Sequence, residues 1–76
     1  MYSLSDLQPG SRAVIDKVFS KEDMKRRFFD MGLVPGTPVT CVGQSPSKDP
    51  KAFLVRGAVI AIRSEDSADI KIKEEM

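Results

Sequence analysis

The run Arg-Arg-Phe-Phe-Asp-Met-Gly-Leu-Val-Pro-Gly-Thr, from Arg26 to Thr37, constrains the fold more than any other stretch. It joins the end of a charged, periodic segment to two backbone stops. Gly32 follows that segment where a left-handed residue ends a helix. Val34-Pro35-Gly36-Thr37 then fits a type II turn, with proline at its second position and glycine at the third, where φ is positive. Upstream, Ser20 and Asp23 make a capping-box pattern, and Phe19 and Met24 occupy the flanking staple positions. Glu22 precedes Arg26 by four residues and Asp23 precedes Arg27 by four, the spacing of pairs on a wet helix face. Met24, Phe28 and Met31 form an i, i+4, i+7 stripe. The expectation is one helix running from a Ser20 cap to a Gly32 stop, packed by that stripe onto a sheet.

The remaining segments read as short strands. Leu4 and Leu7 suit one helical turn, capped by Ser3 or Ser5 and closed by Pro9-Gly10. Arg12 to Phe19 is a strand in which Ala13 and Ile15 share a face while Val18 falls out of phase. A bulge near Asp16-Lys17 restores the alternation. Val39 to Gln44 is a second strand with Val39 and Cys41 on one face, Thr40 and Val42 on the other, and a bend at Gly43. Ser45 to Pro50 is a loop by its punctuation. Ala52 to Val55 and Ala58 to Arg63 form a hairpin about a two-residue Arg56-Gly57 turn that needs positive φ. That register pairs Val55 with Ala58, Leu54 with Val59, and Phe53 with Ile60. Ser64 caps a helical turn to Ala68, and Asp69 to Lys73 alternates as a half-buried strand. Glu74, Glu75 and Met76 are expected to fray. Gly10, Gly32, Pro35, Gly36 and Gly57 are thus read as structural turn residues. About five short strands with partly apolar faces curl into a mainly β small barrel, with one inserted helix and short helical turns.

The 76 residues make one domain, 1–76, with a thin core and a stability of roughly 4–11 kcal/mol. Twelve basic and eleven acidic residues leave a net charge of +1, which argues against a nucleic-acid binder acting through bulk charge. Histidine is absent and there is a single cysteine. No thiolate cluster, imidazole base or phosphate-cradling loop can be assembled, so no catalytic set is expected and no metal ligand set is visible. Cys41 lies mid-strand as a small core residue. No apolar run reaches the length of a membrane span, and the first residues lack the pattern of a signal peptide, so cytoplasm is the default.

Two features remain for a partner. Lys25-Arg26-Arg27 is the densest basic run, though Glu22 and Asp23 stand at pairing distance along the helix. If Phe53 and Ile60 point inward, Leu54 and Val59 point outward. Either the helix covers them, the commoner outcome, or they form an exposed patch. Leu33 and Val34 sit between two stops with no evident core role. The expected partner surface is therefore Lys25, Arg26, Leu33, Val34, Leu54, Arg56 and Val59. A small barrel that binds nucleic acid through Arg26, Arg27, Arg56 and Arg63 is the weakest rival, because no basic-aromatic stripe is present.

The ordered set Leu4-Ser-Asp-Leu7-x-Pro9-Gly10, Ala13-x-Ile15, Arg26-Arg27-Phe28-x-Asp30-Met31-Gly32-Leu33-x-Pro35-Gly36-Thr37-x-Val39, then Asp49-Pro50, Val55-Arg56-Gly57 and Ala61-Ile62-Arg63 resembles the FeoA family of ferrous iron transport accessory proteins. Family members typically carry leucine where Phe28 and Met31 stand. The resemblance implies an SH3-like barrel with an inserted helix. It implies a cytoplasmic, non-enzymatic accessory role in bacterial Fe2+ uptake, acting on the GTPase-containing cytoplasmic part of a FeoB-like permease and reaching the membrane only through it. No cofactor is implied beyond an inherited association with transition metals such as Fe2+, and self-association is left open. A related domain ends DtxR-like repressors, so the alternative is a repressor-type module working through protein contacts. With no helix-turn-helix it would not read DNA alone.

Overall fold

The structure, a computed structural model, describes residues 2–74. A six-stranded antiparallel sheet runs in the order β1-β6-β2-β3-β4-β5. Its strands are β1 (Tyr2–Ser3), β2 (Arg12–Val18), β3 (Pro38–Gln44), β4 (Lys51–Val55), β5 (Ala58–Ile62) and β6 (Ile70–Lys73). A 3-10 turn at Leu4–Asp6 follows β1, helix α1 (Glu22–Asp30) links β2 to β3, and the short helix α2 (Ser64–Ser67) links β5 to β6. The sixth strand is the two-residue β1, too short to leave a periodic signal.

The inner face of the sheet is the core. Ala13, Ile15 and Val18 come from β2, Val39 and Cys41 from β3, Phe53 and Val55 from β4, and Ile62, Ile70 and Ile72 from the last two strands. Leu4 and Leu7 close one end, and Phe28 and Leu33 are buried with the same cluster. Two bulges bend the sheet enough to roll around these side chains. One shifts the β2–β6 register between Ile15 and Lys17, as the phase slip in the sequence requires. The other shifts β3 against β4 between Cys41 and Gly43. Lys51 ties the roll together, its Nζ donating to the carbonyls of Ser5 at 2.8 Å and Leu7 at 3.0 Å.

Helix α1 begins one residue later than expected. Its N-cap is Lys21, which offers no side-chain acceptor. The Ser20 hydroxyl is buried without a hydrogen-bond partner, and Asp23 turns its carboxylate to the Met24 N–H at 2.9 Å. The capping box is therefore replaced by a single local bond to a first-turn amide. The expected stripe is also narrower. Phe28 is buried and Met24 packs at the core margin, but Met31 is 40% exposed and Phe19 is exposed. Met31 is the C-cap, at the end of the helix where the stripe runs out.

The stop itself is a Schellman motif. The N–H of Gly32 donates to the Phe29 carbonyl at 3.0 Å and the N–H of Leu33 to the Phe28 carbonyl at 2.9 Å. Gly32 has φ of 95°. Phe28 and Leu33 occupy the two positions whose apolar side chains accompany this motif, and both belong to the core, Leu33 at 0% exposure. The Val34-Pro35-Gly36-Thr37 turn closes with Thr37 N–H donating to the Val34 carbonyl at 3.1 Å, with Gly36 at φ 93°. It is pinned to β2 by Gly36 N–H on the Ile15 carbonyl and Ile15 N–H on the Thr37 carbonyl.

One other cap differs from expectation. Helix α2 is capped not by Ser64 but by a distant carboxylate. Asp49 accepts from the Ser64 N–H at 2.8 Å and from its hydroxyl at 3.2 Å. At the first turn Ser3 is the N-cap, one of the two residues expected there, and the Asp6 carboxylate accepts from the Ser3 N–H at 3.0 Å and its hydroxyl at 3.2 Å. Of the expected frayed end, Glu74 lies outside regular structure, while Glu75 and Met76 are outside the described residues.

Candidate functional site

The β4–β5 hairpin forms with the register read from the sequence: Val55 opposite Ala58, Leu54 opposite Val59, Phe53 opposite Ile60. Its turn residues Arg56 and Gly57 have φ of 49° and 83°, both positive, which a two-residue turn of this hand demands. The inner face carries Phe53, Val55 and Ile62 into the core. The outer face is not covered by α1. Leu54 is 38% exposed and Val59 64% exposed. The covering that would be commoner fails because α1 seats on the core through Phe28 and the Gly32 stop instead.

The register extends this face across the sheet. Arg12 pairs with Thr40, Thr40 with Leu54, and Leu54 with Val59, so one row runs over four strands. Arg12, Thr40, Leu54, Pro38, Arg56 and Gly57 line a shallow groove along that row. Arg56 is held at its rim. Its Nη2 donates to Thr37 Oγ1 at 3.4 Å. A Cβ at Gly32 would stand 3.0 Å from Arg56 Cδ, so the side chain crosses the helix stop. The hairpin turn, the Schellman glycine and the Pro-Gly turn thus meet at Arg56. Arg12, Pro38 and Thr40 were not singled out in the sequence. Lining up the strand pairs about the Gly43 bend is the signal that finds them.

Of the expected partner residues, the structure brings together Leu54, Arg56 and Val59. Leu33 is removed from the set, because it is buried as the apolar half of the Schellman stop. Val34 is half-buried in the following turn. Lys25 and Arg26 lie on α1 outside the groove lining. The intrahelical pairs expected to occupy the basic run do not form; Lys25 instead sits 5.7 Å from the centre of the Phe29 ring, and Arg26 and Arg27 are exposed.

Asp23, Asp66 and Asp69 line a cleft with Ser20, Lys21 and Met24. Among the described residues no three acidic, histidine or cysteine side chains converge as a metal group. Cys41 is buried, with its thiol 3.6 Å from the Gly43 carbonyl. The residues present do not fit a transition-metal centre. The Asp6 carboxyl is held below its ordinary range, chiefly by the Ser3 N–H. Among the described residues no helix is long and apolar enough to cross a membrane.

Residues 2–74 match the model of the FeoA domain. A Porphyromonas gingivalis Fe(2+) transport protein A/Fe(2+) transporter FeoB fusion protein is 33% identical over 70 residues, which cover 92% of this chain and 8% of that protein. The chain therefore spans a small fraction of the curated relative it matches. The solution structure of FeoA from Chlorobium tepidum superposes with a TM-score of 0.88 at 28% identity, covering 93% of this chain and 68% of that one. A Stenotrophomonas maltophilia FeoA complexed with zinc, described as a prokaryotic SH3 domain protein, superposes with a TM-score of 0.85 at 23% identity, covering 96% and 91%. The rolled sheet described above is thus an SH3-like barrel.

Proposed function

The chain belongs to the FeoA domain family, and from that premise we propose that it is an accessory module of ferrous iron uptake that docks on the cytoplasmic, GTPase-bearing part of a FeoB-like permease. One observation carries the reading: in the Porphyromonas gingivalis relative, a segment like this chain and the permease are one polypeptide. Fusion keeps two modules at high effective concentration, which suits partners that otherwise dock weakly. The membrane is reached through the permease, and Fe2+ is the permease's cargo rather than a ligand of this chain.

The docking surface is the outer face of the hairpin. Leu54 and Val59 supply exposed apolar area, and Arg56 supplies a fixed cation at its rim. Residues of this kind serve an interface without serving the core, so binding and stability separate. Titration of the permease's cytoplasmic part with the wild-type protein is expected to show a complex with Kd in the range of about tens of micromolar or tighter. The double substitution Leu54→Ser and Val59→Ser is expected to abolish it while the thermal midpoint stays near wild type. Absence of binding by the wild-type protein overturns the proposal.

A further inference from the structure

Among the described residues, strand β5 pairs only with β4 and is the outer edge of the sheet. The two-residue turn makes Val55 and Ala58 a hydrogen-bonded pair. Alternation along an antiparallel ladder then points the N–H and C=O groups of Val59 and Ala61 away from β4. Among the described residues, no other backbone hydrogen bond reaches Ala58–Ile62. Val59 and Ala61 are exposed, and the strand contains no lysine, proline or bulge of the kind that protects sheet edges. The opposite edge, β1, is only two residues long. β5 is bracketed by exposed cations, Arg56 before it and Arg63 after it.

We propose that the β5 edge is a strand-addition site for an extended, acidic segment of the docking partner. The inference rests on the reading of this chain as a docking module and specifies how it docks. The added strand pairs its backbone with Val59 and Ala61, sets alternate apolar side chains beside the Leu54–Val59 row, and places carboxylates at Arg56 and Arg63. A second copy of this chain fits less well. In the antiparallel register that sets Val59 opposite Ala61 of the other copy, Arg56 falls opposite Ser64 and beside Arg63. Like charges then meet at both ends of the paired strands.

The test uses amide hydrogen exchange read by NMR, with two synthetic probes: a peptide alternating valine with glutamate, and its valine–lysine counterpart. The acidic peptide is expected to slow exchange at Val59 and Ala61 about tenfold or more, and the basic one to leave it unchanged. Ala61→Pro removes an outward N–H at an edge position, where proline is tolerated, and is expected to abolish the protection. Arg63→Glu provides a second variant that leaves the strand intact; it is expected to weaken the acidic peptide and favour the basic one. Equal response to both peptides, response to neither, or protection that grows with protein concentration alone overturns the inference. The permease's cytoplasmic part separates the two readings. If it binds wild type and Ala61→Pro equally, docking stands and the edge mode falls. If the acidic peptide protects β5 but the permease does not bind, the edge mode stands and the docking reading falls.

Discussion

Single residues decide more here than their types announce. Leu33 has the sequence environment of a loop residue, two positions ahead of proline, yet it is the apolar anchor of the helix stop. Truncation to alanine at such a site costs about 2–5 kcal/mol, a large share of the ~4–11 kcal/mol available to a chain this size. Leu33→Ala is therefore expected to lower the urea midpoint sharply, whereas Val59→Ser, on the exposed face, is expected to change the unfolding free energy by less than about 0.5 kcal/mol. Asp6 gives a pH prediction. Its folded-state carboxyl is lowered from the ordinary value of 3.8, first by the Ser3 N–H; burial opposes this as the second-largest effect, and the Ser3 hydroxyl and the charges of Lys51 and Lys71 add smaller lowering contributions. A lowered folded value means that the stabilisation is complete above the unfolded value and is lost as pH falls through the folded one. The difference in thermal midpoint between wild type and Asp6→Asn is therefore expected at neutral pH and to shrink progressively below 3.8. A gap that persists unchanged into strong acid would show that the amide disturbs something other than the charge.

At the scale of elements, what the sequence made legible was the backbone punctuation. Gly32, Gly36 and Gly57 take the positive φ their contexts demand, and the hairpin register follows from the turn length alone. The bulge in β2 was readable because a phase slip between Ile15 and Val18 has few other solutions. Side-chain caps were readable only in part, since a hydroxyl or carboxylate has several amides within reach and only the folded chain selects among them: Ser3 is the N-cap of the first turn, but Ser20 and Ser64 are not those of α1 and α2. Ser20 illustrates this. The capping-box reading makes Ser20→Ala cost about 1 kcal/mol, as loss of a cap does. The structure instead leaves its buried hydroxyl without a partner, and removing an unsatisfied buried group is neutral or stabilising. Ser20→Ala is expected to keep or raise the thermal midpoint. Lys21→Ser, which places an acceptor at the true N-cap, is expected to add about 0.5–1 kcal/mol. The helix's basic run was likewise misread as self-paired, because i,i+4 spacing allows an ion pair without making exposed side chains hold it.

The whole molecule is a rolled sheet with two ends that are not joined by backbone hydrogen bonds, β1 and β5. Sequence patterning indicated the roll but not its fastening, because the fastening joins residues more than forty positions apart. Lys51 begins β4, and its half-buried ammonium reaches the carbonyls of Ser5 and Leu7 in the first turn. Leaving β5 open as a docking edge requires that the barrel be closed elsewhere, and this contact does so at the other end of the β4–β5 pair. Lys51→Met keeps most of the aliphatic stem and removes both charge-assisted bonds. Those carbonyls lose a donor that water replaces only in part, so the cost is expected at about 1–3 kcal/mol. For a domain of this size that lowers the thermal midpoint by roughly 4–8 °C per kcal/mol. The decisive readout is local. Amides of Leu4 to Leu7 are expected to exchange faster in Lys51→Met, while those of Phe53 paired with Ile60 keep their protection, because the hairpin has its own ladder. Uniform acceleration across the chain would instead mean that Lys51 supports the entire core. With Lys51→Met confined to the first turn, permease binding at the hairpin is expected to survive it, in contrast to Leu54→Ser with Val59→Ser, which leaves stability and removes the complex.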